Sequence, residues 1–337
     1  MTYRNRLTIL VSLIAVLTLT YAASFIFSPE NRNEKSSLYT WLDPKIEGRI
    51  DRIVISAGDP NLIMNDFPDM VFPGFEDILS SFDIELLKKG NQWFVLHNGQ
   101  EYPARQYRIE DFIKIFTTRS PWPVRSANAS SHSRFGLDGS ASKRISIYSE
   151  NTVLLDLLLG NEDNGGKEIY VRKNNQNEVR SGENIASAFL TGSVTSWYEL
   201  RLFPEIEADV SGVQRVSVYR ENETQVFSRQ NREWVVSGFE IASPNQVQIE
   251  NYIHAVLNAE GDDFINYVKT DDPALDYDRI VIEFGDGSVK TIRISAANEV
   301  NKRIANVRSG GNSEYVYSIP LWTAVRILRD ASSFELQ

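Results

Sequence analysis

Short apolar runs separated by turn residues dominate the chain beyond residue 50. Ile50–Ile55, Trp93–Leu96 and Ile145–Tyr148 are rich in β-branched and aromatic residues, which predicts strands. Between Ile109 and Phe116 the apolar residues instead recur at the spacing of one helix face. The pattern therefore predicts an α+β class with a mainly antiparallel, strand-rich sheet and one or two helices per module.

The order of these elements returns later in the chain. The strand around Trp93 is echoed around Trp234, and the helical stretch with Glu110 is echoed by the stretch with Glu250. Further pairs keep the same order at separations of 135 to 141 residues, among them Arg144 with Arg279 and Val171 with Val307. This steady offset predicts two tandem copies of one module. We expect both tryptophans to be buried at equivalent positions.

The predicted domain boundaries follow from this repeat and from the breaks in it. Proline, glycine and acidic residues interrupt the apolar pattern between residues 204 and 212. We therefore place a first α+β module at residues 48–205 and a second at residues 206–337. The stretch Asn61–Phe82 has no counterpart in the second copy, and we interpret it as a loop insertion.

A long uncharged run stands near the N-terminus. Leu7–Phe27 is long enough, at the rise of a helix, to cross about 30 Å of hydrocarbon. Two arginines precede it, which favours a cytoplasmic N-terminus. Residues 1–27 are predicted to form a cytoplasmic tip and an uncleaved transmembrane anchor, with a signal peptide cleaved near Ser24 as the alternative. Residues 28–47 are polar and are predicted to be a tether.

The predicted topology is that of a single-pass protein of a bacterial inner membrane whose bulk is periplasmic.

Composition and charge exclude several classes of function. The 337 residues contain no cysteine, which excludes disulfides, thiolate catalysis and a lipid-modified cysteine. The net charge is −10 and no block of basic residues occurs, so nucleic acid is not expected as a partner.

Residues that carry chemistry are few and scattered. His97, His132 and His254 stand in no metal-binding or nucleophile motif. The stretch Gly160–Gly166 has the composition of a turn, and its spacing does not fit an EF-hand loop. No phosphate-binding glycine loop is present, so no nucleotide is expected. We expect no cofactor, no metal and no catalytic residues, and interpret the protein as non-enzymatic.

Two features keep alternatives open. The densest acidic cluster would suit a hydrolase if two carboxylates faced each other, although its proline favours a connecting loop; its members are Asp271, Asp272, Asp276 and Asp278. Trp122 lies between two prolines, which do not suit regular strand pairing. We interpret it either as a contact for a protein partner, or for an envelope polysaccharide or peptide, or as packing over the module.

The middle of the chain resembles a family known as domain of unknown function 4340. The resemblance covers about Gln92 to Val236 and rests on short motifs, in which Phe135 stands where the family usually has tyrosine. The motif residues, which we interpret as structural, are Trp93, the helix Ile109–Phe116, Arg134-Phe135-Gly136-Leu137-Asp138, Gly160, Tyr170-Val171-Arg172 and Trp197.

Members of that family resemble single-anchor bacterial envelope proteins paired with ABC-type transport systems of the gliding-motility kind. The resemblance implies an extracytoplasmic accessory or scaffold subunit, with the transporter and its ATPase on separate chains. It also implies two kinds of partner. These are the membrane, through residues 7–27, and the membrane and auxiliary subunits of an ABC-type transporter.

Overall fold

The computed structural model describes residues 16–18, 21, 38–56, 84–138, 142–190, 193–204, 210–220, 223–238, 243–298, 302–309 and 314–335. The chain divides into two compact units, Met1–Trp197 and Tyr198–Gln337, here called unit 1 and unit 2. The boundary that we predicted from the sequence lies at residues 205 and 206.

Unit 1 contains a nine-stranded antiparallel sheet with the order β5-β4-β3-β2-β8-β9-β10-β11-β7. Its strands are β2 (Arg52–Ser56), β3 (Ile84–Lys89), β4 (Gln92–His97), β5 (Gln100–Pro103), β7 (Val124–Ser126), β8 (Lys143–Ser149), β9 (Thr152–Glu162), β10 (Glu168–Lys173) and β11 (Val179–Glu183). A separate two-stranded ladder joins β1 (Leu38–Tyr39) to β6 (Ser120–Pro121).

The described residues of unit 1 form one long helix of 12 residues and one short helix of five. They are α1 (Gln106–Thr117) and α2 (Ile185–Phe189), with 3-10 turns at Pro44–Arg49, Ala129–Ser131, Ser133–Phe135 and Val194–Trp197. Helix α1 buries a single face, made by Ile109, Phe112, Ile113, Phe116 and Thr117. The helical spacing of these residues therefore places them in the core, while the other face of α1 stays in solvent.

Unit 2 contains an eight-stranded antiparallel sheet with the order β14-β13-β12-β16-β17-β18-β19-β15. Its strands are β12 (Val213–Arg220), β13 (Glu223–Gln230), β14 (Glu233–Ser237), β15 (Asp263–Ile265), β16 (Asp278–Phe284), β17 (Val289–Ile294), β18 (Arg303–Ser309) and β19 (Val316–Ile319). The helices are α3 (Gln246–Leu257) and α4 (Leu321–Ile327), with 3-10 turns at Val210–Gly212, Pro273–Asp276 and Ala331–Phe334.

The two sheets follow one topology. The order β4-β3-β2-β8-β9-β10-β11-β7 in unit 1 corresponds, strand by strand, to β14-β13-β12-β16-β17-β18-β19-β15 in unit 2. Helix α1 comes after β4 and β5 along the chain, and helix α3 comes after β14, the counterpart of β4. Both helices have 12 residues. Strand β5 has no counterpart among the described residues of unit 2.

A glutamine at the start of each long helix binds the backbone of a buried tryptophan. In unit 1 the Gln106 Oε1 accepts from the Trp93 N–H (3.3 Å), and its Nε2 donates to the Trp93 carbonyl oxygen (3.3 Å). In unit 2 the Gln246 side chain makes the same two bonds to Trp234, at 2.6 and 2.9 Å. We call this arrangement the glutamine clamp. It ties helix to sheet in both units.

The last 3-10 turn of each unit is hydrogen-bonded to the residue just before the 12-residue helix of that unit, which is α1 in unit 1 and α3 in unit 2. The Arg105 N–H donates to the Trp197 carbonyl oxygen at 2.8 Å, and the Asn245 N–H donates to the Phe334 carbonyl oxygen at 2.8 Å. The aromatic ring of each closing residue packs on the helix, with centroid distances of 5.5 Å for Phe112 and Trp197 and 5.1 Å for Tyr252 and Phe334. Each unit is thus closed by its last aromatic residue.

The fold class needs a correction. The described residues form a strand-rich fold with two large antiparallel sheets and few, short helices, and the predicted class placed an N-terminal transmembrane helix before them. No helix among the described residues is long and apolar enough to cross a membrane. The predicted localisation as a single-pass inner-membrane protein is overturned by the same finding. Of Leu7–Phe27, only residues 16–18 and 21 are described.

Two other predicted segments meet the structure only in part. The insertion Asn61–Phe82 lies outside the described residues. Residues 38–47, predicted as the end of a tether, are packed on unit 1. Trp41 and Leu42 are buried there, and the Leu42 N–H donates to the Phe116 carbonyl oxygen at 2.9 Å.

Candidate functional site

The motif glycines of unit 1 allow two backbone segments to touch. Gly136 has a φ of 67°, and a Cβ at this position would collide with the Asn161 side chain. A Cβ at Gly160 would collide with the Phe135 carbonyl oxygen. Glycine is therefore needed at both positions so that the 3-10 turn ending at Phe135 lies against strand β9.

Arg172, which lies in strand β10, holds the same turn through hydrogen bonds. Its Nε donates to the Leu137 carbonyl oxygen at 3.0 Å, and its Nη1 donates to the Asn174 carbonyl oxygen at 2.9 Å. Burial lowers the pKa of this guanidinium. Leu137 packs with Leu158 in a small core, and the Phe135 and Tyr170 rings lie 4.6 Å apart at its margin. The protein's own groups thus hold these motif residues.

The remaining motif residues of unit 1 are also interior. Trp93, Val171 and Trp197 are all buried. The Arg108 guanidinium lies 4.8 Å from the centroid of the Trp197 ring, and burial lowers the pKa of Arg108. These contacts explain the aromatic spacing of the motif as packing around helix α1.

Trp122 lies in the interior of unit 1. Only 2% of its surface is exposed, and its ring packs edge to face on the Trp41 ring at a centroid distance of 5.2 Å. Its Nε1 donates to the Ser120 Oγ at 2.9 Å, and a Cβ at Gly182 would collide with its ring. Of the three interpretations of this residue, packing over the module matches its burial. A partner contact has to be sought elsewhere.

Arginines engage two of the four carboxylates of the acidic cluster. Both oxygens of Asp276 accept from Arg293, at 2.5 and 2.6 Å, and these bonds lower the pKa of Asp276. Asp278 is 3% exposed and pairs with Arg303. Asp272 accepts from the Ala274 N–H at 2.8 Å and caps the 3-10 turn that follows. These contacts match the interpretation of the cluster as a connecting loop.

The turn at Gly160–Gly166 and the histidines have local partners. Asp163 Oδ1 accepts from the Lys167 and Glu168 N–H groups at 2.7 and 2.9 Å, and these backbone bonds, chiefly the one from Glu168, lower the pKa of Asp163. His132 Nε2 lies 3.1 Å from a backbone carbonyl oxygen. His97 and His254 each contact a neighbouring asparagine. Within the part of the chain that the structure describes, no three such groups are placed to hold a metal ion.

Helix α4 of unit 2 carries an exposed apolar face that the sequence analysis missed. Leu321, Trp322 and Val325 are 48%, 59% and 63% exposed. We call these three residues the α4 face. Thr323, Ala324 and Ile327 on the other side of the helix are buried. In the sequence, the segment Leu321–Ile327 is apolar on nearly every side of a helix, a pattern that is typical of a helix covered on both sides.

Two arginines flank the α4 face. The Arg326 guanidinium lies 5.6 Å from the Trp322 ring centroid, and the Arg329 guanidinium lies 4.8 Å from the Phe334 ring centroid. In unit 1 the corresponding helix α2 exposes Ser187 and Ala188 instead. The apolar and cationic character of the α4 face is therefore particular to unit 2.

A family model described as Domain of unknown function (DUF4340) matches residues 93–278, which is more than half of the chain. The match begins in strand β4 of unit 1 and ends at the first residue of β16 in unit 2. No curated protein and no solved structure matches the chain. The chain belongs to the DUF4340 family.

Proposed function

We propose that this protein is a non-enzymatic accessory subunit that binds another protein through the α4 face. The observation that supports this function is the exposure of Leu321, Trp322 and Val325 on one short helix. Contiguous exposed apolar side chains with polar residues around them are typical of protein interaction sites. Tryptophan and arginine are also the residue types that contribute most often to binding energy at such sites.

The α4 face supplies one part of the energy that a specific contact needs, because association itself costs about 4–15 kcal/mol. Full burial of a large apolar side chain contributes about 1.5–3 kcal/mol. About half of each side chain in the α4 face is exposed, so covering all three contributes roughly 3 kcal/mol. A buried tryptophan with a stacked arginine then forms the centre of the interface, and polar contacts around it supply specificity.

The partner that we propose is a subunit of an ABC-type transport system. This part of the proposal rests on the family resemblance, which pairs such chains with transporters whose ATPase is a separate polypeptide. The scaffold itself is consistent with the role. Each unit is built on a large antiparallel sheet that carries helices and loops, which suits a subunit that binds other proteins.

Site-specific photocrosslinking tests this function. A photoreactive phenylalanine analogue replaces Trp322 in the full chain, which is expressed in its own host, and crosslinked products are identified by mass spectrometry. The control places the analogue at Tyr107, an exposed aromatic on helix α1 of unit 1. We expect position 322, and not position 107, to crosslink to an ABC-type transporter subunit. Equal products at both positions, or no protein product at 322, would contradict the proposal.

A further inference from the structure

A cationic cavity lies at the tip of the β13–β14 hairpin in unit 2. It has a volume of about 420 Å³ and is lined by Gln214, Arg229, Asn231 and Arg232. Gln214, Asn231 and Arg232 are exposed, so the cavity is open to solvent and has room for a small molecule at the surface. Two guanidinium groups and two amides make the lining rich in hydrogen-bond donors.

Arg229 is held in place from two sides. Its Nη1 donates to the Ser211 carbonyl oxygen at 3.0 Å, and its guanidinium lies 5.6 Å from the centroid of the Trp234 ring. A guanidinium that is fixed in this way loses little conformational entropy when it binds an anion. The remaining N–H groups of Arg229 are thus preorganised donors at the wall of the cavity.

Arg232 has a backbone conformation that is costly for its residue type. Asn231 and Arg232 form the hairpin turn with φ angles of 51° and 72°. Two-residue turns with this geometry favour asparagine followed by glycine, because glycine adopts a positive φ without a steric penalty. Strained residues of this kind concentrate at ligand sites. Arg232 keeps this conformation and lines the cavity beside Arg229.

The charge of the cavity contrasts with that of the protein. The chain has a net charge of −10. Among the described residues, neither Arg229 nor Arg232 pairs with a carboxylate, whereas the nearby Arg215 lies 3.8 Å from Glu283. In unit 1 the corresponding turn is Gly90-Asn91, which carries no arginine. The unit 1 equivalent of Arg229 is Lys88, which lies 5.8 Å from the Trp93 ring centroid. The cation over the tryptophan is therefore shared by both units, and Arg232 is the part of the cavity that is particular to unit 2.

We propose that this cavity binds the oxyanion group, a phosphate or a carboxylate, of a small acidic molecule. Two guanidinium groups match the paired oxygens of such a group through charge-assisted hydrogen bonds. The Gln214 and Asn231 amides are available to bind hydroxyl or carbonyl groups on the rest of the ligand. This site is independent of the α4 face.

Isothermal titration calorimetry on the full chain tests the proposal. The titrants are inorganic phosphate, glucuronate as a carboxylate on a sugar, and glucose as a neutral control. We expect heat of binding with phosphate, glucuronate or both, none with glucose, and weaker binding at higher salt. The pattern across the two anions identifies the source of the oxyanion. Absence of binding by both anions at millimolar concentration would overturn the proposal.

Three variants assign any binding to the cavity. Arg232→Gly removes a guanidinium and relieves the strained φ, so we expect binding to weaken about 10- to 100-fold while the thermal midpoint rises. Gln214→Ala should weaken binding less. Arg215→Gln removes an equal charge beside the cavity and is the matched control, for which affinity should stay within about twofold. Unchanged affinity in Arg232→Gly, or an equal loss in Arg215→Gln, would overturn the assignment.

Discussion

One interior position differs in kind between the two units. Leu158 of unit 1 lies opposite Arg144 in the β8–β9 ladder, and Arg293 of unit 2 lies opposite Arg279 in the β16–β17 ladder. Leu158 packs on Leu137, whereas Arg293 is 3% exposed and pairs with Asp276. A leucine contact in one unit is thus replaced by an ion pair in the other.

The contacts around the long helix did not diverge in this way. The glutamine clamp and the closing hydrogen bond occur in both units with the same donor and acceptor groups. The clamp supplies hydrogen-bond partners to the N–H and carbonyl groups of a buried tryptophan, so its loss weakens the hydrogen bonding of buried polar groups. The comparison indicates that the junction of helix and sheet is shared by both units, while the connection between β15 and β16 and the exposed surface have changed.

The largest effect on stability is expected when the two tryptophans bound by the glutamine clamp are removed. We expect Trp93→Ala and Trp234→Ala each to destabilise its own unit by about 3–5 kcal/mol, because both side chains are buried and leave a large cavity. Hydrogen exchange read by mass spectrometry reports on each unit separately. Trp322→Ala, at an exposed position, is the control and should change stability by less than about 0.5 kcal/mol. A small loss of stability at one of the two tryptophan sites would contradict the structural equivalence of the two units.

A smaller effect is expected from the glutamine clamp. Gln106→Ala and Gln246→Ala each remove one donor and one acceptor from a tryptophan backbone, which costs about 1–3 kcal/mol. The two bonds from Gln246 to Trp234 are 2.6 and 2.9 Å long, whereas the two from Gln106 to Trp93 are 3.3 Å long and a third, from Gln106 Nε2 to the Ala104 carbonyl oxygen, is 3.1 Å long. Because the Trp93 carbonyl oxygen also keeps the Ala104 N–H as a donor at 2.9 Å, the loss should be larger in unit 2. Chemical denaturation of the two variants measures the difference. A larger loss in unit 1 would contradict this ranking.

The smallest expected effect on stability comes from the ion pair of unit 2, which takes the place of the leucine contact of unit 1. The hydrogen bonds from Arg293 lower the folded-state pKa of Asp276 below its unfolded value, which is about 3.9. The pair therefore stabilises unit 2 above about pH 4, and this contribution is lost as the pH falls through the folded pKa. Because Asp276 is half exposed, we expect about 1 kcal/mol or less.

Acid titration of stability in Asp276→Asn measures this contribution. The variant should be less stable than the parent chain at neutral pH. The difference should narrow as the pH falls below about 4 and close below the folded pKa, where the Asp276 carboxyl is protonated and, like asparagine, uncharged. Exchange in unit 1 should not respond to the substitution. A difference that persists at low pH would show that the carboxylate acts through its shape and not through its charge.

Periodic segments of the sequence were sufficient to locate several elements. The apolar run Trp93–Leu96 lies in β4, and the helical spacing from Ile109 to Phe116 lies in α1. In both segments the side chains that set the pattern face the core, so local spacing and tertiary packing agree. The paired tryptophans followed from the same reasoning.

Residues whose environment is set by distant contacts were beyond this reasoning. Trp122 is covered by Trp41, which a local pattern does not place beside it. The α4 face escaped because an exposed and a buried apolar residue look alike in sequence. The ion pair of Asp276 also required the partner strand to be known, since Arg293 lies 17 residues further along the chain.

The closing hydrogen bond in each unit joins backbone groups about 90 residues apart, from Arg105 to Trp197 and from Asn245 to Phe334. Loop closure over such distances is slow, so each unit should complete its folding late, after its sheet has formed. During synthesis Trp197 leaves the ribosome well before Phe334 does. Unit 1 is therefore able to close while the strands of unit 2 are still being made, and two sheets of one topology avoid exchanging strands with each other.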